Sequence, residues 1–295
     1  MSEPKTAKPE PGSAPTLQNL REEIDRIDAS MHSLLIERGE IIGELIKVKR
    51  TTETGAAFRP AREASMMRRI VERHRGILPL DTVESIWRVI IATFTYVQAP
   101  YAVHADFSAG DAAVRDSARF HFGFTVPLSA HLGAAGVVAA VAQSKGDLGL
   151  VPASALAGAG AWWTALEAEQ GPKIIARLPF VDRNNHPAAL PVFVISRVAA
   201  DAMVPDVAVW SLRISGWGPK AAKAVAHLAD VIAVPDSAFD GAALLVSVPQ
   251  DSSFERISEA VVNAGASIRS SALVGSHATR YTLPAAGARA VQTGR

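Results

Sequence analysis

The sequence predicts a multidomain chain, with an all-α segment at the N-terminus followed by an α/β region. Three observations predict it. Apolar residues recur at steps of four and three from Leu20 to Val48, the spacing of one helical face. Beyond about residue 109, short apolar runs alternate with helix-like stretches, the pattern of a sheet covered by helices. At 295 residues, the chain is long enough for two domains of ordinary size.

Composition narrows the function. The chain is 48% hydrophobic and 20% charged, with a formal net charge of +1, so no strong field points to nucleic acid or an acidic membrane. It has no cysteine, which excludes disulfides, thiolate catalysis and cysteine-ligated zinc. Residues 1–15, rich in Lys, Pro, Ala and Ser, lack the apolar stretch of a secretory signal and read as a disordered leader. No run reaches the ~20 apolar residues that span a bilayer. The expected location is the cytoplasm, and the expected partners include neither nucleic acid nor membrane.

In the first segment, Leu20, Ile24, Ile27, Met31, Leu34, Ile41, Leu45 and Val48 form a heptad-like seam on one helix. About 35 residues at 1.5 Å each make it ~50 Å long, too long to bury its seam in one small domain, so a partner chain is expected. Gly55 and Pro60 punctuate the following loop, and Pro60 suits the first turn of a second helix carrying Met66, Met67, Ile70 and Val71. After Pro79, Val83, Ile86, Trp87, Ile90, Ile91, Phe94 and Val97 form one stripe on a third helix.

The seam has one gap. The stepping calls for an apolar residue at position 38, and Arg38 stands there. Lys49, eleven residues on, returns to within about 20° of Arg38 around the axis. Gln98 continues the stripe of the third helix, and Arg62 and Glu63 precede the methionines of the second. One inward acid, Glu63, against Arg38, Lys49 and Arg62 leaves a surplus of positive charge that a small dicarboxylate would offset. Such cations also snorkel, or pair with neighbours such as Glu37 and Glu44. At the level of single residues both readings stay open.

The residues taken together resemble a known family. LREEIDRIDASMHSLLIERGEIIGELIKVKR (20–50), FRPAREASMMRRI and IWRVIIATFTYVQ resemble the three helices of the all-α chorismate mutases, which convert chorismate to prephenate. The resemblance covers residues 16–104 and implies an intertwined homodimer without cofactor or metal. It implies that Arg21 reaches a carboxylate in the partner's site and that Arg38 binds one in its own. Lys49 and Gln98 would hydrogen-bond the ether oxygen, Glu63 would accept from the ring hydroxyl, and Arg62 would support the charge network. Lys49, Gln98 and Arg38 are thus the expected catalytic residues. Arg59, where some relatives carry an acid, is counted with the substrate-binding set. Phe94, flanked by Thr93 and Thr95, replaces a serine of some relatives.

Residues 109–237 are expected to be an α/β domain, with strands at Ala118–Phe124, Asp147–Pro152, Lys173–Pro179 and Pro191–Ser196 and a helix at Leu132–Ala142. GDLGLVPASAL and LPVFVISR resemble two stretches of the prephenate dehydratases, whose scaffold is like that of periplasmic binding proteins. Pro191, Val192 and Phe193 stand where the catalytic Thr-Arg-Phe is found, and Ser154 and Ala155 replace a Glu-Asn pair. The resemblance therefore implies a degenerate, non-catalytic domain. The alternative is a bifunctional mutase–dehydratase; another is a binding protein with a degraded mutase site.

Residues 238–284 resemble a partial ACT-type regulatory unit, or else cap the preceding domain, and 285–295 form a tail. An aromatic amino acid is the candidate effector. The eight histidines show no metal-ligand spacing. His186, in the loop DRNNHP, is the one that could contact a ligand, and Trp162 and Trp163 are expected to pack.

Overall fold

A computed structural model describes residues 15–49, 57–108, 110–154, 160–197, 206–236 and 241–283. The expected leader, most of the loop after the first helix, the C-terminal tail and Ala155 lie outside the described residues, as does the side chain of Lys49. The chain divides into two compact units, residues 1–49 and 50–295.

The first unit is one helix, α1 (Leu17–Lys49). Its start is tied by Thr16, whose Oγ1 accepts from the backbone N–H of Asn19 and donates to the Asn19 side chain. The seam residues Leu20, Ile24, Ile27, Met31, Leu34, Ile41 and Val48 lie between 44% and 81% exposed. The periodicity predicted from sequence is present, and these apolar residues are exposed among the described residues.

The second unit opens with α2 (Pro60–Arg73) and α3 (Leu80–Gln98). Pro60 sits in the first turn of α2, where its missing N–H is harmless. Met67, Ile70 and Val71 turn inward with Glu63. The third helix departs from expectation. Its buried side is Glu84, Arg88, Ile91, Ala92 and Thr95, whereas Ile86 and Val97 of the predicted stripe are exposed. Ion pairs described below hold the polar residues inside and rotate the apolar stripe partly outward.

There follow β1 (Val103–Asp106), α4 (Asp111–Phe122), β2 (Leu128–His131), α5 (Ala134–Gln143) and β3 (Leu148–Pro152). The expected strand at Ala118–Phe124 is instead the end of α4. Val114, Ser117, Ala118, His121 and Phe122 are buried, a three-four spacing that the short alternation of aromatic residues concealed. Gly123, at φ 67°, ends the helix.

A 3-10 turn at Trp162–Leu166 leads to β4 (Lys173–Leu178), β5 (Val181–Asp182) and β6 (Val192–Ser196). Then come β7 (Val207–Ser215), α6 (Pro219–Ala226), β8 (Asp230–Asp236), β9 (Gly241–Pro249), α7 (Phe254–Asn263), β10 (Ser267–His277) and β11 (Tyr281–Thr282).

Nine strands form one sheet in the order β2-β1-β3-β6-β4-β10-β7-β9-β8. β1 runs parallel to β2 and β3, β6 is antiparallel to β3 and β4, and β10 joins the two halves by a parallel contact with β4. β3 and β6 are buried along their whole length, as unbroken apolar runs predict. Gly275 makes the joint possible: a Cβ on it would lie 2.1 Å from the carbonyl oxygen of Ile174.

Two expected boundaries fall inside packed structure. The one at 237/238 separates β8 from β9, which pair from Asp230↔Ser247 to Asp236↔Gly241. Residues 207–277 thus form one βαββαβ unit, with Ala221 and Val225 of α6 and Ile257 and Val261 of α7 buried on Leu212, Ile214, Leu244 and Val246. The boundary at 104 falls within β1. Met67, Ile70 and Ile91 share a core with Val103, Val114, Leu148 and Leu178, so α2 and α3 are built into the α/β region. Trp162 and Trp163 pack in a second core with Val137, Val141 and Phe193.

Candidate functional site

The expected site residues are spread over both units. On α1, Arg21 is exposed and Arg38 half-buried. Seventeen residues separate them, ~25 Å along the axis and about 100° around it, so one helix cannot aim both at one small molecule. Lys49 is the last residue of α1.

In the second unit, Arg59 precedes Pro60, and its carbonyl accepts the N–H of Glu63 at 3.0 Å. Arg62 projects outward and is exposed, while Glu63 is 5% exposed. Gln98 is half-buried at the end of α3, and its Nε2 donates to the carbonyl of Phe94 at 3.0 Å. Arg62 and Glu63, adjacent in sequence, therefore serve different surfaces.

Glu63 has a partner inside the fold: its Oε2 accepts from Arg88 Nη1 at 2.7 Å. Arg88 Nη2 donates to the carbonyl of His121 at 3.0 Å, and the guanidinium lies over the Phe180 ring. Burial pushes the Glu63 carboxyl upward, against the pull of Arg88. Burial, reinforced by the Glu63 carboxylate, also raises the Tyr101 hydroxyl.

A second buried group lies beside it. Glu84 accepts from Arg183 at 3.2 Å and from His186 Nε2 at 3.1 Å. His186 Nδ1 accepts from the backbone N–H of Ala188, so Nε2 carries the hydrogen and donates to Glu84. His186, expected as a loop residue open to ligand, is thus buried and ties its loop to α3. Neither Glu84 nor Arg88 was singled out from sequence. The signal was present: an acid and an arginine four residues apart inside the apolar run VESIWRVII.

A smaller cluster joins β1, β2 and the start of β3. His104 bonds His131 at 2.9 Å and Asp147 at 3.2 Å. Among the described residues no group of three or more His, Asp or Glu side chains could hold a metal ion. No helix among them is long and apolar enough to cross a membrane.

With this geometry in view, comparison with known proteins bears on the N-terminal segment, about a quarter of the chain. Residues 20–99 match the family model of chorismate mutase type II. The mutase-type segment therefore comprises α1, α2 and α3. A bifunctional chorismate mutase/prephenate dehydratase of Neisseria gonorrhoeae is 36% identical over 86 residues, which cover 28% of this chain and 22% of that protein. The match thus spans less than a quarter of that relative's length. Among solved structures, GqqA, a quorum-quenching acylase, aligns with 60% of this chain and 95% of its own at 15% identity and a TM-score of 0.40. A prephenate dehydratase from Streptococcus mutans aligns with 62% of this chain and all of its own at 12% identity and a TM-score of 0.35. At such values neither likeness bears on function.

Proposed function

We propose that this protein is a chorismate mutase that rearranges chorismate to prephenate, with a C-terminal half that does no chemistry of its own. One observation carries the reading: the family match runs across all three N-terminal helices and includes Arg38, the cation that interrupts the apolar seam.

The reaction is an intramolecular pericyclic rearrangement. It needs no proton transfer, nucleophile or metal. What a protein can contribute is a compact substrate conformer and donors placed where charge develops. In this reading Arg38 holds a carboxylate of the substrate, and Arg21 of a second chain holds the other. As the C–O bond breaks, negative charge grows on the ether oxygen, where Lys49 supplies a cation and Gln98 a neutral donor. Arg59 and Arg62 add positive charge at the start of α2. Glu63 is omitted from the substrate contacts, because its carboxylate is buried against Arg88.

The reading carries a homodimer with it. The uncovered seam of α1 and the exposed Ile86 and Val97 of α3 support an assembly in which helices of two chains cover one another. A cytoplasmic location and an aromatic amino acid effector belong to the same proposal. Incubating purified protein with chorismate, with and without phenylalanine, tyrosine or tryptophan, tests it. Accumulating prephenate is the expected result. Unchanged chorismate overturns the mutase reading, and phenylpyruvate overturns the inert C-terminal half.

A further inference from the structure

The helix that carries Gln98 is gripped by residues from the other half of the chain. Glu84 and Arg88 on α3 are both fully buried. The charged groups that meet Glu84 lie outside the mutase-type segment at 20–99. Arg183 Nη2 donates to Glu84 Oε2 at 3.2 Å and pairs with Asp81, nearly one turn earlier on the same helix, at 2.5 Å. His186 Nε2 donates to Glu84 Oε1 at 3.1 Å. The Glu63–Arg88 pair fixes α2 against α3 from inside the segment, whereas Arg183 and His186 act from outside it.

These two residues are themselves anchored. β5, which ends just before Arg183, pairs with β11, and Asp182 accepts from Arg280 at 2.8 Å. His186 Nδ1 accepts from the N–H of Ala188 at 2.9 Å, and its ring stands edge-on to Phe120. The side chains of Arg183 and His186 are 10% and 2% exposed, so the segment forms a fixed clamp and not a solvated turn.

Helix geometry links the clamp to Gln98. Gln98 lies fourteen residues beyond Glu84, ~21 Å along the axis and about 40° short of a whole number of turns. Both therefore lie on one side of α3, and any rotation of the helix moves both. At the ~6 Å radius of a helical side chain, a rotation of about 10° shifts the amide by ~1 Å. A displacement of ~1 Å can lower a rate by about two orders of magnitude. A buried carboxylate that has lost its donors favours such a rotation, because it brings the charge toward water.

We infer that Arg183 and His186 are positioning residues of the mutase, which fix the rotation of α3 and, through it, the amide of Gln98. The inference rests on the mutase reading and on the role of Gln98 at the ether oxygen. It makes the α/β half a working part of the mutase, although that half supplies no group to the substrate.

Steady-state kinetics on chorismate with the full chain, in two backgrounds, tests the inference. His186→Leu and Arg183→Met should each lower kcat about tenfold or more while KM changes by less than about twofold, because Gln98 acts on charge that develops only in the transition state. His186→Gln, which keeps a neutral N–H donor of similar reach, should restore most of the loss. In a Gln98→Ala background the same substitutions should lower kcat by less than about twofold further, since the group they position is gone. A role in stability alone would instead reduce the active fraction equally in both backgrounds. If either variant fails to fold, Glu84→Gln, which weakens both contacts without leaving a buried charge, carries the same comparison. Near-normal kcat in the clamp variants overturns the inference, and so does an undiminished loss in the Gln98→Ala background. A parent chain that leaves chorismate unchanged refutes the mutase reading and this inference with it; parent turnover that the clamp variants retain refutes the inference alone.

Discussion

Arg88 on α3 donates to Glu63 on α2 at 2.7 Å, with side chains only 1% and 6% exposed. This contact fixes the mutual rotation of two helices, because a buried charge separated from its partner is far less favourable than either arrangement with both or neither.

Removing one member of that pair should therefore destabilise the fold strongly. Glu63→Gln or Arg88→Met alone should lower the unfolding free energy by about 3–5 kcal/mol. The variant Glu63→Gln/Arg88→Met, which removes both charges, should recover much of that loss. Urea titration of the four proteins measures the coupling. Additive effects of the two positions would show that the pair does not act as a unit.

The buried His277 should make the protein sensitive to acid. Its folded value of about 4 lies below the ordinary value of 6.5, so the unfolded chain binds the proton first. Stability from this source is fully present above pH 6.5 and declines as pH falls from 6.5 towards 4. Between pH 7 and pH 5 the loss should be about 2 kcal/mol. His121, which burial also holds well below its usual range, adds in the same direction. Urea midpoints at the two pH values, compared with His277→Asn, provide the measurement. An equal acid response in the variant would remove His277 as the cause.

Gly275 should tolerate no side chain. Its φ of 152° and the 2.1 Å approach of a Cβ to the Ile174 carbonyl leave no room where β10 meets β4. Gly275→Ala should cost more than about 3 kcal/mol, because backbone rather than a flexible side chain must move. A thermal midpoint within a degree or two of the parent would show that the two strands separate easily.

The mutase reading assigns different kinetic signatures to two cations. Lys49→Ala should lose at least about two orders of magnitude in kcat, equivalent to ~2.7–4 kcal/mol of transition-state stabilisation. Arg38→Ala should act mainly on substrate binding, by about 1.5–3 kcal/mol. Steady-state kinetics on chorismate separates the effects. Near-normal kcat in the lysine variant would rule out its role at the ether oxygen.

The seam of α1 should hold two chains together. Ile27→Lys and Leu34→Lys place charges on the apolar face and should give monomers without mutase activity. Light scattering after gel filtration, with a turnover assay on the same fractions, checks both parts. Full activity in a monomeric fraction would contradict the shared site.

Much of this was legible in the sequence because it rests on local periodicity. The seam from Leu20 to Val48 produces α1, Pro60 opens α2, and the apolar runs at 148–152 and 192–196 become β3 and β6. Alternation misled at Ala118–Phe124, where a seven-residue window cannot distinguish a strand from one buried face of α4. The stripe on α3 was legible as apolar, yet its direction was not, since Glu63, Arg183 and His186 draw Arg88 and Glu84 inward.

The amino-acid order by itself determined the helical N-terminal segment, the α/β character of the rest and the set of cations at 21, 38, 49, 59 and 62. Only the tertiary structure decided that Glu63 belongs to Arg88, that β7 through β10 form one unit, and that His277 is buried beside a cavity. The physical reason is range. Helical and strand periods are set by neighbours a few residues apart. A buried ion pair between residues 63 and 88, or a strand pairing that joins 174 to 275, depends on distances that no local pattern records.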